Sequence, residues 1–299
     1  MTPPTPTGLP RRPLLRPGSR ITQRGDGLVQ VGLTEPLVAR APDTPTVRAA
    51  LDGMRNGVPP ETHDVDVLRL CMDLVDRGLV LDADLVLPAL GAAHDAPDRA
   101  DRAALVCEHG DRTPLVLAHR ESAAVAITHS GLEWAADHLE AHLVRAGVRA
   151  GLGPAVVVHL HAGQPDRDRF DDLVRDDFPH LLVVASDGEV RVGPFVVPGQ
   201  TACLRCIDAH LTDRDPRWPL VVAQHARQTA VGGVPEPVPQ DLMEAALVWV
   251  ARDVTAWIDG REPRTWSATI DVRADLELPL VRWRQHAGCG CSWGQAVGM

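Results

Sequence analysis

The chain has 299 residues, 44% of them hydrophobic, which is enough for one large domain or two domains of ordinary size. Its 40 acidic residues outnumber its 30 basic ones, and no apolar stretch is long enough to span a bilayer, so we expect neither nucleic-acid binding nor membrane insertion. All the basic residues are arginine, and the absence of lysine excludes a Schiff-base lysine, a Walker-type phosphate-binding lysine and a catalytic amine.

Residues 1–11 are rich in proline and lack the apolar core of a signal peptide, so we predict a short disordered leader on a cytoplasmic protein. Strand-like stretches separated by turns follow, among them "RITQR", "LVQVG" and "PLVARA". Apolar spacing then predicts a helix at about 45–55, capped by Thr44, and a second helix at about 64–77. With "GLVLDADL" as an extended wing, residues 12–87 are predicted to form a winged-helix-like module.

Residues 88–112 mix Ala, Asp, Pro and Gly without firm periodicity, and we place the domain boundary there. Short apolar stretches that favour strands follow it, with helix-like stretches between the last three of them. The strand-like stretches are 114–118, 123–127, 155–159 and 181–185, and the helix-like stretches are about 132–146 and 166–176. This alternation predicts right-handed crossovers and a parallel sheet covered on both faces, so residues 113–299 are predicted to form an α/β domain.

The end of the chain is predicted to combine a long loop, one helix and two strands. Residues 212–240 are rich in Pro and Gly and mostly aperiodic, which is typical of a functional or mobile loop. Residues 241–258 carry one apolar stripe and predict a helix. The alternating stretches "TWSATIDVRA" and "ELPLVRWRQH" predict strands that lead to the last cysteines.

Four of the six cysteines form two close pairs, Cys203-x-x-Cys206 and Cys289-x-Cys291. Four thiolates are the ligand set of a closed tetrahedral zinc site, so we predict structural Zn²⁺ there. A disulfide frame needs an oxidising compartment, which nothing in the sequence indicates, and a redox pair would not need the terminal cysteines. Uncoordinated core cysteines remain a further alternative. His286 can replace one thiolate, although a role in the turn beside the site fits better.

The strand and turn "GPFVVPGQTACLRC", the long loop, the helix and the closing "HAGCGC" together resemble the ThiF-type family related to ubiquitin-activating enzymes. More narrowly, they resemble the partner proteins of YcaO cyclodehydratases. The resemblance implies a winged-helix module that recognises a precursor peptide, followed by a ThiF-like Rossmann-type α/β domain with a four-cysteine zinc site. It implies a non-catalytic subunit that binds the leader of a ribosomally made peptide for thiazole or oxazoline formation, and a possible homodimer.

Adenylating ThiF relatives bind ATP through a Gly-rich turn after the first strand. Here the turn is "AITHSGLEW", with Thr128, Ser130 and Glu133 where a G-x-G-x-x-G spacing requires glycine. A Cβ blocks close approach to phosphate and a glutamate repels it, so we expect no ATP binding and no catalytic activity of the chain's own. Asp187 can match the family's magnesium aspartate or be a solvated turn residue. An ATP-dependent adenylating or sulfur-transfer enzyme of the ThiF type is the alternative.

Two further sets of residues are candidates for binding partners. The predicted walls of a peptide groove, which would accept the leader as an added strand, are Leu37, Val38, Leu68 and Val75. The predicted docking surface for a YcaO partner contains Arg214, Arg217 and Trp218. Core packing is the alternative for the groove residues and for Trp218. A winged-helix DNA regulator is disfavoured because the second helix is acidic, and a hydrolase because no nucleophile elbow or metalloprotease motif occurs.

Overall fold

The computed structural model describes residues 8–91, 96–227 and 234–291. The chain divides into two compact units, Met1–Leu117 and Ala118–Met299. Helices and strands occur in both units, which confirms the predicted α/β composition. None of the described helices is long and apolar enough to cross a membrane.

The N-terminal unit combines two small antiparallel sheets with helices. Its strands are β1 (Pro13–Leu15), β2 (Ile21–Gln23), β3 (Leu28–Val31), β4 (Ala39–Pro42) and β5 (Val80–Asp82). Its helices are α1 (Pro45–Met54), α2 (Val65–Asp76), α3 (Ala83–Gly91), α4 (Ala96–His109) and α5 (Thr113–Ser122), the last of which extends past the unit boundary. The strands pair as β1-β5 and β2-β3-β4, so β2 and β4 are the edges of the three-stranded sheet.

The first two helices start at capping residues and bury one face each. The Thr44 side chain accepts a hydrogen bond from the Val47 N–H, as the cap prediction requires, and Asp64 caps α2 in the same way. The buried faces of α1 and α2 meet β3 and β4 in one apolar core. Cys71 is fully buried in this core. Leu9, which the sequence analysis assigns to the leader, is also buried there.

Two sequence-based predictions around this unit are wrong. The wing ends after the three residues of β5, and the chain then enters α3 at Ala83. The apolar stretch 114–118 forms part of α5 and not a strand. Five consecutive apolar residues suit a strand and a buried helical turn equally well, so periodicity could not separate the two.

The C-terminal unit is built on a seven-stranded sheet with the order β12-β11-β10-β9-β8-β6-β7. Its strands are β6 (Ala124–Ser130), β7 (Arg149–Ala150), β8 (Val156–Ala162), β9 (His180–Ser186), β10 (Glu189–Val196), β11 (Ala268–Val272) and β12 (Leu280–Arg282). Its helices are α6 (Glu133–Arg145), α7 (Asp168–Arg175), α8 (Leu204–Arg214), α9 (Trp218–His225) and α10 (Gln240–Ile258). The predicted long loop is therefore partly helical, because α8 and α9 occupy its first half; residues 228–233 lie outside the described residues.

The sheet is parallel at the strands for which parallel pairing was predicted, and three antiparallel strands extend it. The strands β6, β7, β8 and β9 run parallel, whereas β10, β11 and β12 are added antiparallel. The change of direction occurs at the two-residue turn Asp187-Gly188, where both residues have positive φ. Further on, Gly193 has a φ of +99°, and a Cβ there would lie 2.3 Å from the Ala268 carbonyl oxygen. Glycine is therefore required at this point of β10.

Both faces of the central strands are covered by helices. Leu181, Val183 and Ala185 of β9 face one side and join the main core with α6 and α10. Leu182 and Val184 face the other side and pack against Phe170 of α7 and Leu204 of α8. This second face positions α8, which carries the first cysteine pair.

Candidate functional site

The first cysteine pair lies at the N-terminus of α8. Cys203 is the residue before the helix, and Cys206 lies in its first turn, so both side chains project from one side with their Sγ atoms 3.8 Å apart. The turn before the helix is held by Thr201, whose hydroxyl accepts a hydrogen bond from the Val197 N–H at 2.8 Å. Gly199, in this turn, has a positive φ of +74°.

The second cysteine pair, which follows β12, lies against the first. The Sγ atoms of Cys203 and Cys289 are 3.6 Å apart, and those of Cys206 and Cys291 are 3.4 Å apart. All four sulfur atoms lie within 4.8 Å of one another. A tetrahedral ion with Zn–S bonds of about 2.3 Å requires S···S separations of about 3.8 Å. All four cysteines are free thiols, and the spacing fits a shared metal ion.

The surroundings of the four thiols favour metal binding. Cys203 and Cys206 are buried, and the apolar groups around the cluster include Val196, Ala202 and Trp283. The Cys206 Sγ accepts hydrogen bonds from the Cys203 thiol and from the His286 backbone N–H, which lower the pKa of Cys206, while the bond between the two thiols raises the pKa of Cys203. A thiolate is the form that binds metal, and Cys206 is the thiol whose pKa is lowered, whereas the pKa values of Cys203 and Cys291 are raised by their hydrogen bonds and by burial.

The predicted groove residues differ in how much surface they present. Val38 is 1% exposed and packs in the core, whereas Leu37, Leu68 and Val75 are half-buried. Sequence reasoning missed Met72, which lies one turn beyond Leu68 on α2 and is 49% exposed. Its signal was the same helical period, since residues three and four apart share a helix face.

Four apolar side chains of α2 that are accessible at the surface form a stripe, which we name the α2 stripe. Its members are Val65, Leu68, Met72 and Val75. The helix packs against the edge strand β4. An apolar helix face beside a sheet edge is the arrangement that an added peptide strand requires.

The predicted docking residues are not equally accessible. Arg214 and Arg217 are exposed, but Trp218 is half-buried and donates its Nε1–H to the Asp208 Oδ1 at 2.9 Å. Asp208 also accepts two hydrogen bonds from the buried Arg167, at 3.0 and 3.2 Å. Trp218 therefore belongs to a partly internal polar network, which sequence reasoning did not predict.

Two residues at the glycine positions of the G-x-G-x-x-G spacing lie in β6 and α6 and not in the turn between them. Thr128 is hydrogen-bonded to His159, and Glu133 is the first residue of α6. Gly131 has a positive φ, and a Cβ there would lie 3.0 Å from the Ala162 Cβ, so this glycine is needed for chain packing.

At the same edge of the sheet, the Glu236 carboxylate occupies a backbone N–H that could otherwise bind an anionic ligand. The Glu236 Oε1 accepts the Asp187 N–H at 2.9 Å. Ser130, Asp187 and Glu236 all line one cavity of about 650 Å³. A negative carboxylate in this cavity opposes the binding of phosphate.

The fold and the cysteine cluster define an α/β protein with a candidate four-thiolate metal centre. No protein-family model matches the chain, and no curated protein matches it in sequence. Solved structures do match its fold. The heterocyclase TruD has a TM-score of 0.65 at 17% identity, over 95% of this chain and 43% of that one. E. coli MccB has a TM-score of 0.61 at 12% identity, over 94% of this chain and 96% of that one.

A heterocyclase solved in complex with substrate and cofactor also matches, with a TM-score of 0.65 at 18% identity, over 94% of this chain and 39% of that one. The chain thus spans less than half the length of the heterocyclases and nearly the full length of MccB. MccB has been solved in complexes that include MccA and AMPCPP. At these identities the likeness establishes a shared fold.

Proposed function

We propose that the chain is a non-catalytic subunit that binds the leader of a ribosomally made precursor peptide and recruits it to a YcaO-type cyclodehydratase for azoline formation. The observation that supports this most directly is the fold shared with the heterocyclase TruD over 95% of the chain. That likeness, together with the likeness to MccB, a microcin C7 biosynthetic enzyme solved with MccA, supports a role in heterocycle biosynthesis.

In this proposal residues 12–87 are the winged-helix peptide-recognition module, after a leader at 1–11, and residues 113–299 are the ThiF-like domain. We further propose a cytoplasmic location. We also propose a homodimer, and light scattering of the purified protein would test this oligomeric state. The exposed Arg214 and Arg217 would contact the cyclodehydratase.

The peptide would bind as a strand beside β4, with apolar side chains against the α2 stripe. Backbone hydrogen bonds to the strand edge would supply affinity, and the helix face would select side chains. Covering Met72 and Leu68 removes apolar surface from water, and each fully buried side chain of this size contributes about 1.5–3 kcal/mol. Glu35 pairs with Arg40 and Arg77, at 3.6 and 3.1 Å, and Arg77 pairs with Asp73 at 2.6 Å, so the charges of these four neighbouring residues balance.

The metal in this proposal is Zn²⁺, held by Cys203, Cys206, Cys289 and Cys291. Bound zinc would supply a structural cross-link and no reaction chemistry, because four protein ligands leave no open coordination position. The residues fit the ion because three of their Sγ separations are 3.4–3.8 Å and all four Sγ atoms lie within 4.8 Å of one another, as a tetrahedral sulfur set requires.

Peptide binding is tested with the leader of a short Cys/Ser/Thr-rich peptide encoded beside this chain's gene, labelled for fluorescence polarisation. We expect Met72→Glu to weaken binding at least tenfold, because it places a charge on an apolar contact. Met72 is exposed, so the variant should fold. Val58→Glu, at a residue of the same unit that is 54% exposed and outside α2, is the matched control. Equal affinities of wild type and Met72→Glu would contradict the groove.

The second candidate is an ATP-dependent adenylating or sulfur-transfer enzyme of the ThiF type. It is favoured by the match to nearly all of MccB, which has been solved with AMPCPP. The turn residues Thr128, Ser130 and Glu133, the Glu236 carboxylate and the absence of lysine argue against it. Pyrophosphate exchange separates the two: the binding subunit should give background rates with ATP–Mg²⁺, and exchange above background would favour the enzyme.

A further inference from the structure

A second group of potential metal ligands lies beside the four cysteines. His210 and Asp213 on α8 face His286, which precedes the last cysteine pair, and their ligand atoms lie within 4.8 Å of one another. Two imidazoles and a carboxylate at this distance are a common ligand set for a divalent ion. The hydrogen bonds of His286 decide between such a site and a different role.

His286 is held as one tautomer. The Gly288 backbone N–H donates to the His286 Nδ1 at 3.0 Å, so Nδ1 keeps its lone pair and carries no proton. The proton of the neutral ring is therefore on Nε2, which donates to the Asp213 Oδ2 at 3.1 Å. A metal on Nε2 would move this proton to Nδ1, against the Gly288 N–H. The group is thus a hydrogen-bonded latch, not a second metal site.

The rest of the group supports the same arrangement. The His210 Nε2 donates to the Arg284 carbonyl at 2.9 Å, and the His210 ring meets the His286 ring edge-on with centroids 4.9 Å apart. The Gln285 side chain donates to the Gly199 carbonyl at 2.9 Å. Consecutive residues of the C-terminal segment are therefore each tied to α8 or to the turn before it.

His286 connects this latch to the thiols through its own backbone. Its N–H donates to the Cys206 Sγ at 3.4 Å, and its carbonyl accepts the Cys289 N–H at 2.9 Å. One residue therefore touches a cysteine of each pair. Because residues 286–289 form a turn closed by the backbone and capped by the imidazole, the ring orientation determines where the Cys289 Sγ lies.

We propose that His286, locked between Gly288 and Asp213, is a positioning residue that holds Cys289 against the first cysteine pair and sets the rate at which the metal is released. The proposal rests on the metal assignment made under Proposed function. Residues that orient metal ligands typically change metal affinity by 10–100-fold, and we expect the lower end because Asp213 is 66% exposed.

The test measures zinc release from the full chain, loaded with one equivalent of Zn²⁺, into an excess of a chromogenic chelator. His286→Ala should release zinc about tenfold faster than wild type. His286→Asn keeps an acceptor for the Gly288 N–H and loses the hydrogen bond to Asp213. His286→Gln keeps a donor to Asp213 and loses the hydrogen bond from Gly288. Both variants should therefore release zinc at rates between those of wild type and His286→Ala. Asp213→Asn should retain the wild-type rate because its amide oxygen still accepts the Nε2–H, whereas Asp213→Ala should not.

The controls separate this proposal from the metal assignment. His63→Ala removes an exposed histidine of the other unit and should release zinc at the wild-type rate. The double variant of His286→Ala with Asp213→Ala should be no faster than His286→Ala alone, because both remove the same contact. If every zinc-loaded variant releases zinc at the wild-type rate, the positioning role of His286 is overturned and the metal assignment stands. A wild-type chain that holds no zinc would overturn the metal assignment and the latch together.

Discussion

Acid should destabilise the C-terminal unit through two buried histidines. His159 of β8 and His180 of β9 flank Phe170, with ring centroids 5.0 and 6.0 Å from it. Burial lowers the pKa of His159 to about 3 and that of His180 to about 4. The Nε2 atoms of both rings are buried and have no hydrogen-bond partner within the described part of the chain.

The size of the effect follows from proton linkage. An unfolded histidine has a pKa of about 6.5, so between that pH and the folded value the unfolded state binds one proton more per histidine. The stabilisation is complete above pH 6.5 and is lost as the pH falls. Each histidine changes the free energy of unfolding by about 1.4 kcal/mol per pH unit in this range. Together the two should lower the free energy of unfolding by about 5 kcal/mol between pH 6.5 and pH 4.5. That loss approaches the whole stability of a small domain.

The assay is urea unfolding followed by tryptophan fluorescence at several pH values between 7 and 4.5. His180→Asn keeps a donor for the Phe178 carbonyl, which the His180 Nδ1 contacts at 2.9 Å, but cannot be protonated. This substitution should halve the part of the slope of unfolding free energy against pH that the two histidines contribute. The metal centre is common to both proteins, so its own acid sensitivity cancels in the difference. His119→Asn, at an exposed residue, is the control. Identical slopes for wild type and His180→Asn would refute the reasoning.

Three further outcomes are expected in the same unit. Arg120→Met should lower the free energy of unfolding by about 3–5 kcal/mol, because it leaves the buried Asp259 carboxylate without its two hydrogen bonds from Arg120, at 2.8 and 2.6 Å; urea unfolding measures this. Gly193→Ala should cost about 1–3 kcal/mol or more, whereas Gly147→Ala, with an equally positive φ but open space around it, should cost less. Elemental analysis should find one zinc per chain, and serine in place of any cysteine of the metal centre should lower the melting temperature.

The parts of the fold that sequence predicted well are those encoded locally. The β-branched runs of β8 and β9 predicted buried parallel strands because few other structures bury four or more consecutive apolar residues. The stretch 114–118 of α5 was mistaken for a strand because five consecutive apolar residues suit either structure. The ion pair of Arg120 with Asp259 joins residues far apart in the chain and leaves no local pattern. The antiparallel strands beyond β9 depended on the tight turn at Asp187-Gly188, which was not recognised as a hairpin signal.

The candidate site shows the same division. Two cysteine pairs at ligand spacing predicted a cluster, and the four thiols do converge. The partnership of His286 with Asp213 joins side chains 73 residues apart and leaves no pattern along the chain. Val38, which precedes β4, and Met72 on α2 illustrate the limit for surfaces. Both residues are visibly apolar in the sequence, but Val38 is buried and Met72 is exposed because of packing that the sequence does not display.

The long separation between the two cysteine pairs has a topological consequence. Cys203 and Cys289 are 86 residues apart, so an ion shared by the pairs would close the intervening chain into a ring. In the chain-entropy description, a ring of this size restricts the denatured ensemble by about 4–5 kcal/mol. A protease cut between Cys206 and Cys289 would leave two fragments that migrate as one particle in urea, and a chelator would then separate them.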